Sequence, residues 1–314
     1  AEHFCFQTID QLRKSPECKS CITSMPHTVT GTNKRIDSHA GLLSSGIATF
    51  CDEKLHSMEK PVLLYSFQQV PYTNETAVTF HIFNVPRSIA EAILIQATRA
   101  MVTELGYTDH TVKINSLGDT DSVTRYTREL TNFLKKRLDT MPSEARELMK
   151  EHPISALANL IEQNHELGLR SPNSLEYLSD LSRKHFREII EYLDMSETPY
   201  EIDPKMMGHH ECYSDAIFSL DINQDDDAEI VESPITARGG RFDEFVYRTT
   251  RTRTPAVGAV VVLKNSKAPA RAPCRKAQNP PAYDVLIAFA PKLRSLLLIA
   301  RFRTAGIPVF HDLT

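Results

Sequence analysis

No run of about 18 consecutive apolar residues occurs in the 314-residue chain, so a membrane-spanning helix is not expected. Cysteine is scarce: 6 residues are too few to staple a chain of this length, which argues against a disulfide-built fold and for a reducing compartment, the cytoplasm. Positive charge is not in surplus. With 36 Lys and Arg against 40 Asp and Glu the formal charge is −4, so nucleic-acid contact would have to come from a local patch. The opening residues Ala1-Glu2-His3-Phe4-Cys5 contain no basic segment running into an apolar one, and no secretory leader is expected.

What is present describes a soluble globular protein, 41% apolar and 24% charged, long enough for two or three domains. Apolar runs at 61–67 and 79–83 read as strands. Residues 88–106 carry Ile89, Ala92, Ile93, Ile95, Ala97, Met101, Val102 and Leu105 at helical spacing and end on Gly106, a helix stop. A short strand is expected at 111–114, with Asn115, Ser116 and Gly118 turning the chain between layers. Residues 121–193 read as mostly helical with mixed surface charge, and 216–220 and 255–263 as strands. Residues 264–281 hold Pro269, Pro273, Pro280 and Pro281, with Lys264, Lys267, Arg271, Arg275 and Lys276 and no acid. This is an extended tether, or a strap that tracks phosphates. Cys18-x-x-Cys21 is half a zinc knuckle without its second pair. His209 and His210, adjacent on a strand, would point to opposite faces, so no metal site is expected with Cys212.

The stretch with the most chemical content is Ala237-Arg238-Gly239-Gly240-Arg241-Phe242-Asp243-Glu244-Phe245. Paired glycines free the backbone, and a guanidinium, a carboxylate and an aromatic ring follow within a few residues. Two readings stand side by side: a tight turn lining a ligand pocket, and glycines that let packed strands approach closely. Together with Lys113-Ile114-Asn115-Ser116-Leu117-Gly118, the segment 213–220 and Pro255-Ala256-Val257-Gly258-Ala259, this stretch resembles histidyl-tRNA synthetases, which are class II aminoacyl-tRNA synthetases.

The resemblance implies an α/β (α+β) fold: an antiparallel sheet flanked by helices, a helical insertion and a truncated C-terminal α/β domain. It divides the chain into core segments at 1–120 and 196–263, an insertion at 121–195, a basic linker at 264–282 and a partial anticodon-binding-like domain at 283–314. It places Glu211, Tyr213, Ser214, Gly239, Gly240, Arg241 and Asp243 at the ligand pocket. It also shows departures. The family's Arg-Pro-Glu-Gly-Thr falls on His39-Ala40-Gly41-Leu42-Leu43, without the carboxylate that helps hold the substrate ammonium. The loop 68–78, where the family carries an arginine for the ATP α-phosphate, contains no Lys or Arg. The family's catalytic arginine falls on Gly208, and its adenine-stacking arginine is replaced near Lys264-Asn265-Ser266. These departures imply a non-catalytic binding or regulatory paralogue, of the kind exemplified by the regulatory subunit of ATP phosphoribosyltransferase. No cofactor is expected, with ATP and Mg²⁺ reserved for the alternative of an atypical active histidine–tRNA ligase. The expected partner is a second copy or a related synthetase-fold protein. RNA, tRNA included, is a further partner, contacted through the insertion and through Lys267, Arg271, Arg275 and Lys276.

Overall fold

A computed structural model describes residues 7–8, 34–53, 55, 60–70, 75–207, 212–222, 235–264 and 301–302. The strands are β1 (Gln7–Thr8), β2 (Val62–Gln69), β3 (Thr76–Phe83), β4 (His110–Gly118), β5 (Tyr200–Ile202), β6 (Ser214–Ile222), β7 (Ile235–Arg241) and β8 (Ala256–Leu263). Among the described residues they form one sheet in the order β1-β2-β3-β8-β7-β6-β4-β5. The inner neighbours are antiparallel, and the two outer strands β1 and β5 pair parallel to β2 and β4.

Strand alternation divides the side chains of this sheet between two cores. Val78, Phe80 and Ile82 of β3 join Val257, Ala259 and Val261 of β8 on one face. They are covered by α2 (Ile89–Glu104), whose Ile89, Ile93, Leu94 and Ala97 are buried, and by α7 (Asp180–Met195), which brings Phe186, Ile189 and Leu193. The opposite face presents Leu64, Ala77, Phe83, Ala256 and Val260. Leu43, Ile47 and Phe50 of α1 (Lys34–Asp52) cover it, joined by Phe242 and Val246 at α8 (Asp243–Thr250). Each such side chain removed from water contributes about 1.5–3 kcal/mol before the entropy cost of ordering it.

The helical stretch between β4 and β5 contains α3 (Thr120–Lys135), α4 (Ser143–Glu151), α5 (Pro153–Glu162), α6 (Glu166–Leu169) and α7. Tyr126, Leu130 and Leu134, four residues apart, form a buried stripe on α3, and they join the same core as Phe83 and Phe242. The starts of α3 and α7 cap one another. Asp119 Oδ1 accepts from the Ser122 amide at 2.9 Å while Oδ2 accepts from Ser179 Oγ at 2.7 Å, and the Asp119 amide donates to Ser182 Oγ at 2.9 Å.

β4 runs longer than the short strand expected, through Asn115 and Ser116 to Gly118. The polar side chains stay in the strand because the surroundings satisfy them. Asn115 Nδ2 donates to the Met206 carbonyl at 2.9 Å, and Ser116 Oγ accepts from the Gly118 amide at 3.1 Å. Gly118 has φ +76°, and a Cβ there would stand 2.4 Å from Ser122 Cβ.

The Cys18 and Cys21 pair, Gly208, His209, His210 and Glu211 lie outside the described residues, as do Lys267, Arg271, Arg275, Lys276 and, Arg301 and Phe302 excepted, the C-terminal segment 283–314. No helix among the described residues is long and apolar enough to cross a membrane.

Candidate functional site

The Gly-Gly-Arg-Phe-Asp stretch is the end of a central strand and the start of a helix, which agrees with the second of the two readings, close strand packing, and not with a tight turn. Gly239 and Gly240 lie within β7, where backbones and rings come close on both sides. A Cβ on Gly239 would stand 2.5 Å from the Phe218 ring and 2.8 Å from the Gly258 carbonyl, and one on Gly240 would stand 2.5 Å from the Ala216 carbonyl. Both glycines are accounted for by strand packing. The turn into α8 is held at Asp243, whose Oδ1 accepts from the Ala256 amide at 2.6 Å, and at Phe242, whose amide donates to the Ala256 carbonyl at 2.8 Å.

Arg241 points into the protein toward α2. Its Nε and Nη2 reach the two oxygens of Glu91 at 2.8 and 2.9 Å, a fork-on-carboxylate pair with side chains only 5% and 1% exposed. Its Nη1 lies 3.4 Å from each oxygen of Asp243. His185, on α7, adds Nε2 at 2.7 Å from Glu91 Oε1. Burial works to raise the Glu91 carboxyl, but Arg241 and the His185 hydrogen bond outweigh it and hold it below the usual carboxylate range. Burial would lower the Arg241 guanidinium, yet Glu91 and Asp243 hold it above its ordinary value. His185 is likewise raised: its hydrogen bond to Glu91 overcomes burial.

Asp215 stands beside this group, on the β-bulge where β6 shifts register between Ser214 and Ile217. It is a non-glycine residue at φ +58°. Its Oδ1 lies 3.4 Å from Ser116 Oγ, a long hydrogen bond. Burial, aided by Glu91 and Asp119 and opposed by His185 and Arg241, pushes its carboxyl up to about 6. Ser214, half-buried, pairs in register with Arg241.

Tyr213 and the far side of the sheet make a second polar group. The buried Tyr213 hydroxyl and His39 Nε2 are 2.8 Å apart, joining α1 to the start of β6, and the two rings meet edge to face at 5.4 Å. Burial raises the Tyr213 phenol well above its ordinary range, so it stays neutral. Further along α1, Gly46 lies against His81 of β3: a Cβ on Gly46 would stand 2.4 Å from His81 Nε2. Burial lowers His81 to about 3, so its ring is uncharged. His81 Nε2 lies 3.1 Å from Thr79 Oγ1, which lies 2.7 Å from Ser66 Oγ. Gln68 Nε2 extends the chain to Ser45 Oγ at 3.1 Å and to the Leu42 carbonyl at 3.2 Å.

The structure thus splits the expected pocket residues. Arg241 and Asp243 belong to the charged group on the α2 and α7 side, Tyr213 faces α1, and Gly239 and Gly240 serve the sheet between them. Glu91, His185, Asp215, His39 and His81 were missed. Glu91 did carry a signal: it sits between Ala90 and Ala92 in the apolar first turns of a helix, and a buried carboxylate there requires a cation. Among the described residues no group of three or more His, Cys, Asp or Glu side chains could hold a metal ion.

No protein-family model matches the chain. Over 175 residues it is 30% identical to the histidine–tRNA ligase of Blochmanniella pennsylvanica, covering 55% of this chain and 39% of that protein. Over 226 residues it is 26% identical to the histidine–tRNA ligase of Geobacillus sp. (strain WCH70), covering 71% of this chain and 52% of that one. The chain therefore spans about half or less of the length of the curated relatives it matches. Among solved structures, the apo histidyl-tRNA synthetase of S. aureus superimposes with a TM-score of 0.56 at 17% identity, over 86% of this chain and 58% of that one. By sequence the chain is a relative of histidine–tRNA ligases, and its helix-flanked, mostly antiparallel sheet is the class II fold of histidyl-tRNA synthetase.

Proposed function

We propose that this chain is a non-catalytic binding or regulatory relative of histidyl-tRNA synthetase, acting in the cytoplasm through a second copy or a related synthetase-fold protein. One observation carries the reading: the positions that the resemblance assigns to ATP handling hold no arginine. β2 and β3 pair as far as Gln69 and Thr76, the Val70 amide donates to the Glu75 carbonyl at 3.0 Å, and residues 68–78 include no Lys or Arg. Gly208 stands at the catalytic position, and Lys264 near the adenine-stacking one. A glycine offers no charge to a developing anion, and lysine does not reproduce a planar stacking cation. The local arginine of the Gly-Gly-Arg stretch does not substitute for them, because Glu91 holds both its Nε and Nη2. Each such transition-state contact is worth about 3 kcal/mol in other enzymes, so losing several together reduces adenylation to background.

A second reading, an atypical active histidine–tRNA ligase, draws its cation from Arg248, Arg251 or Arg253, which stand exposed at the end of α8 and just after it. Histidine-dependent ATP–pyrophosphate exchange separates the two. The first reading expects no exchange above the protein-free background. Exchange that rises with histidine and is lost on replacing Arg248, Arg251 and Arg253 together establishes the second.

A further inference from the structure

We propose that Asp215 is a proton-operated latch: taking up a proton between neutral and mildly acidic pH tightens the β6 bulge and, through Tyr213 and His39, the seating of α1 on the sheet.

The geometry places Asp215 where one charge has leverage. It occupies the left-handed region at φ +58°, on the bulge itself, with a single residue between it and Tyr213. Elements packed around it each present a polar or charged group. Glu91 comes from α2, Asp119 and Ser116 from the end of β4 and the start of α3, His185 from α7 and Arg241 from β7. Asp243, at the start of α8, sits on Arg241. Ionised, this set holds four carboxylates (Glu91, Asp119, Asp215, Asp243) against Arg241 and a titrating His185. Arg241 is committed to Glu91 by two short hydrogen bonds, and Asp119 to the caps of α3 and α7. Asp215 is left with one long hydrogen bond from Ser116 at 3.4 Å, and it is the acid of the group whose carboxyl is pushed to about 6.

A proton from solvent on Asp215 removes a buried negative charge, whose desolvation outweighs its attraction to His185 and Arg241 and is reinforced by Glu91 and Asp119. The bulge then closes against β4 and β7. Loss of that proton leaves a charge buried where the backbone is already in a left-handed conformation, and the strain passes along β6 to Tyr213. The Tyr213–His39 hydrogen bond links β6 to α1 across 174 positions of sequence, so α1 loosens with it. The device holds whether or not the chain activates histidine.

Hydrogen–deuterium exchange of the full chain at pH 5.5 and 7.5, corrected for the intrinsic pH dependence, tests this in peptides covering α1 and residues 212–218. Wild type is expected to be several-fold more protected at pH 5.5, with a midpoint near 6. A carboxyl pushed up to about 6 from the ordinary carboxylate range bounds the effect at about 100-fold. Asp215→Asn carries no charge, and asparagine tolerates the left-handed region. It is expected to show the acid level of protection at both pH values. His185→Gln is expected to keep a transition. A flat wild-type profile overturns the proposal, as does a transition that survives Asp215→Asn or one that vanishes in His185→Gln alone. If Asp215→Asn does not fold, carbon-13 NMR of the wild-type carboxyls and tyrosine rings decides: Asp215 and Tyr213 signals sharing one midpoint support the latch, and separate midpoints sink it.

Discussion

Arg241 and Glu91 meet as a planar fork on a carboxylate with almost no exposure, and the other partner of Glu91, His185, reaches only Oε1. Arg241→Ala leaves Glu91 charged and buried, so urea unfolding is expected to show a loss of about 3–5 kcal/mol. Arg241→Lys is expected to recover only part of it, because an ammonium does not satisfy both oxygens in the plane. The pH dependence is set by groups displaced in opposite directions. Glu91 lies below its ordinary value, so its contribution is present above the unfolded carboxylate range and is lost as pH falls through its folded value. Asp215 lies above, near 6, so its folded state keeps a proton that the unfolded chain releases, and stability is lost as pH rises through that window. Asp215→Asn is therefore expected to be more stable than wild type at pH 7.5, and the difference to disappear near pH 4, as measured by urea midpoints. Arg241 and Asp243 were legible as chemically loaded residues beside two glycines, but their destination was not. The partner Glu91 lies 150 positions away, and no local pattern encodes a contact of that separation.

Elements of strong period were readable and their ends were not. The apolar spacing over 88–106 corresponds to α2, and the Tyr126, Leu130, Leu134 stripe lies within a segment read as helical. Of the two readings open at Gly239-Gly240, the structure matches close strand packing; a glycine pair signals only the absence of side chains, which turns and packed strands both use. The fit of α1 on the sheet depends on the same property at Gly46. Gly46→Ala puts a methyl group into the His81 ring, which is fully buried and stacked 5.9 Å from Phe83, and so has no room to retreat. The expected cost is about 1–3 kcal/mol, read from thermal or urea unfolding. Gly46→Ala with His81→Ala is expected to cost less than the sum of the two single changes, since the second removes the clash. Strict additivity would mean that α1 does not rest on His81.

At the scale of the whole molecule, the sheet and its covering helices are what the chain shares with the histidyl-tRNA synthetase fold. The eight-stranded sheet closes by packing that needs no ligand: Gly258 lets Phe242 approach, Leu43 and Phe50 fill the face beneath α1, and buried polar groups such as Asn115 find backbone partners. The fold was legible because its scaffold stretches retain their sequence. The role was less so, because what a residue does depends on which distant side chains it meets, and local sequence does not encode that. RNA contact through the basic segment is a separate expectation of the same scale. Affinity for a short single-stranded RNA should fall steeply with added salt and be lost on replacing Arg271, Arg275 and Lys276 together, in a filter-binding or anisotropy assay. The most direct test of the central claim is a calorimetric titration of the chain with ATP and Mg²⁺, in the presence and absence of histidine. An empty arginine set predicts no saturable heat of binding under either condition, whereas a stoichiometric site that tightens when histidine is added would contradict it.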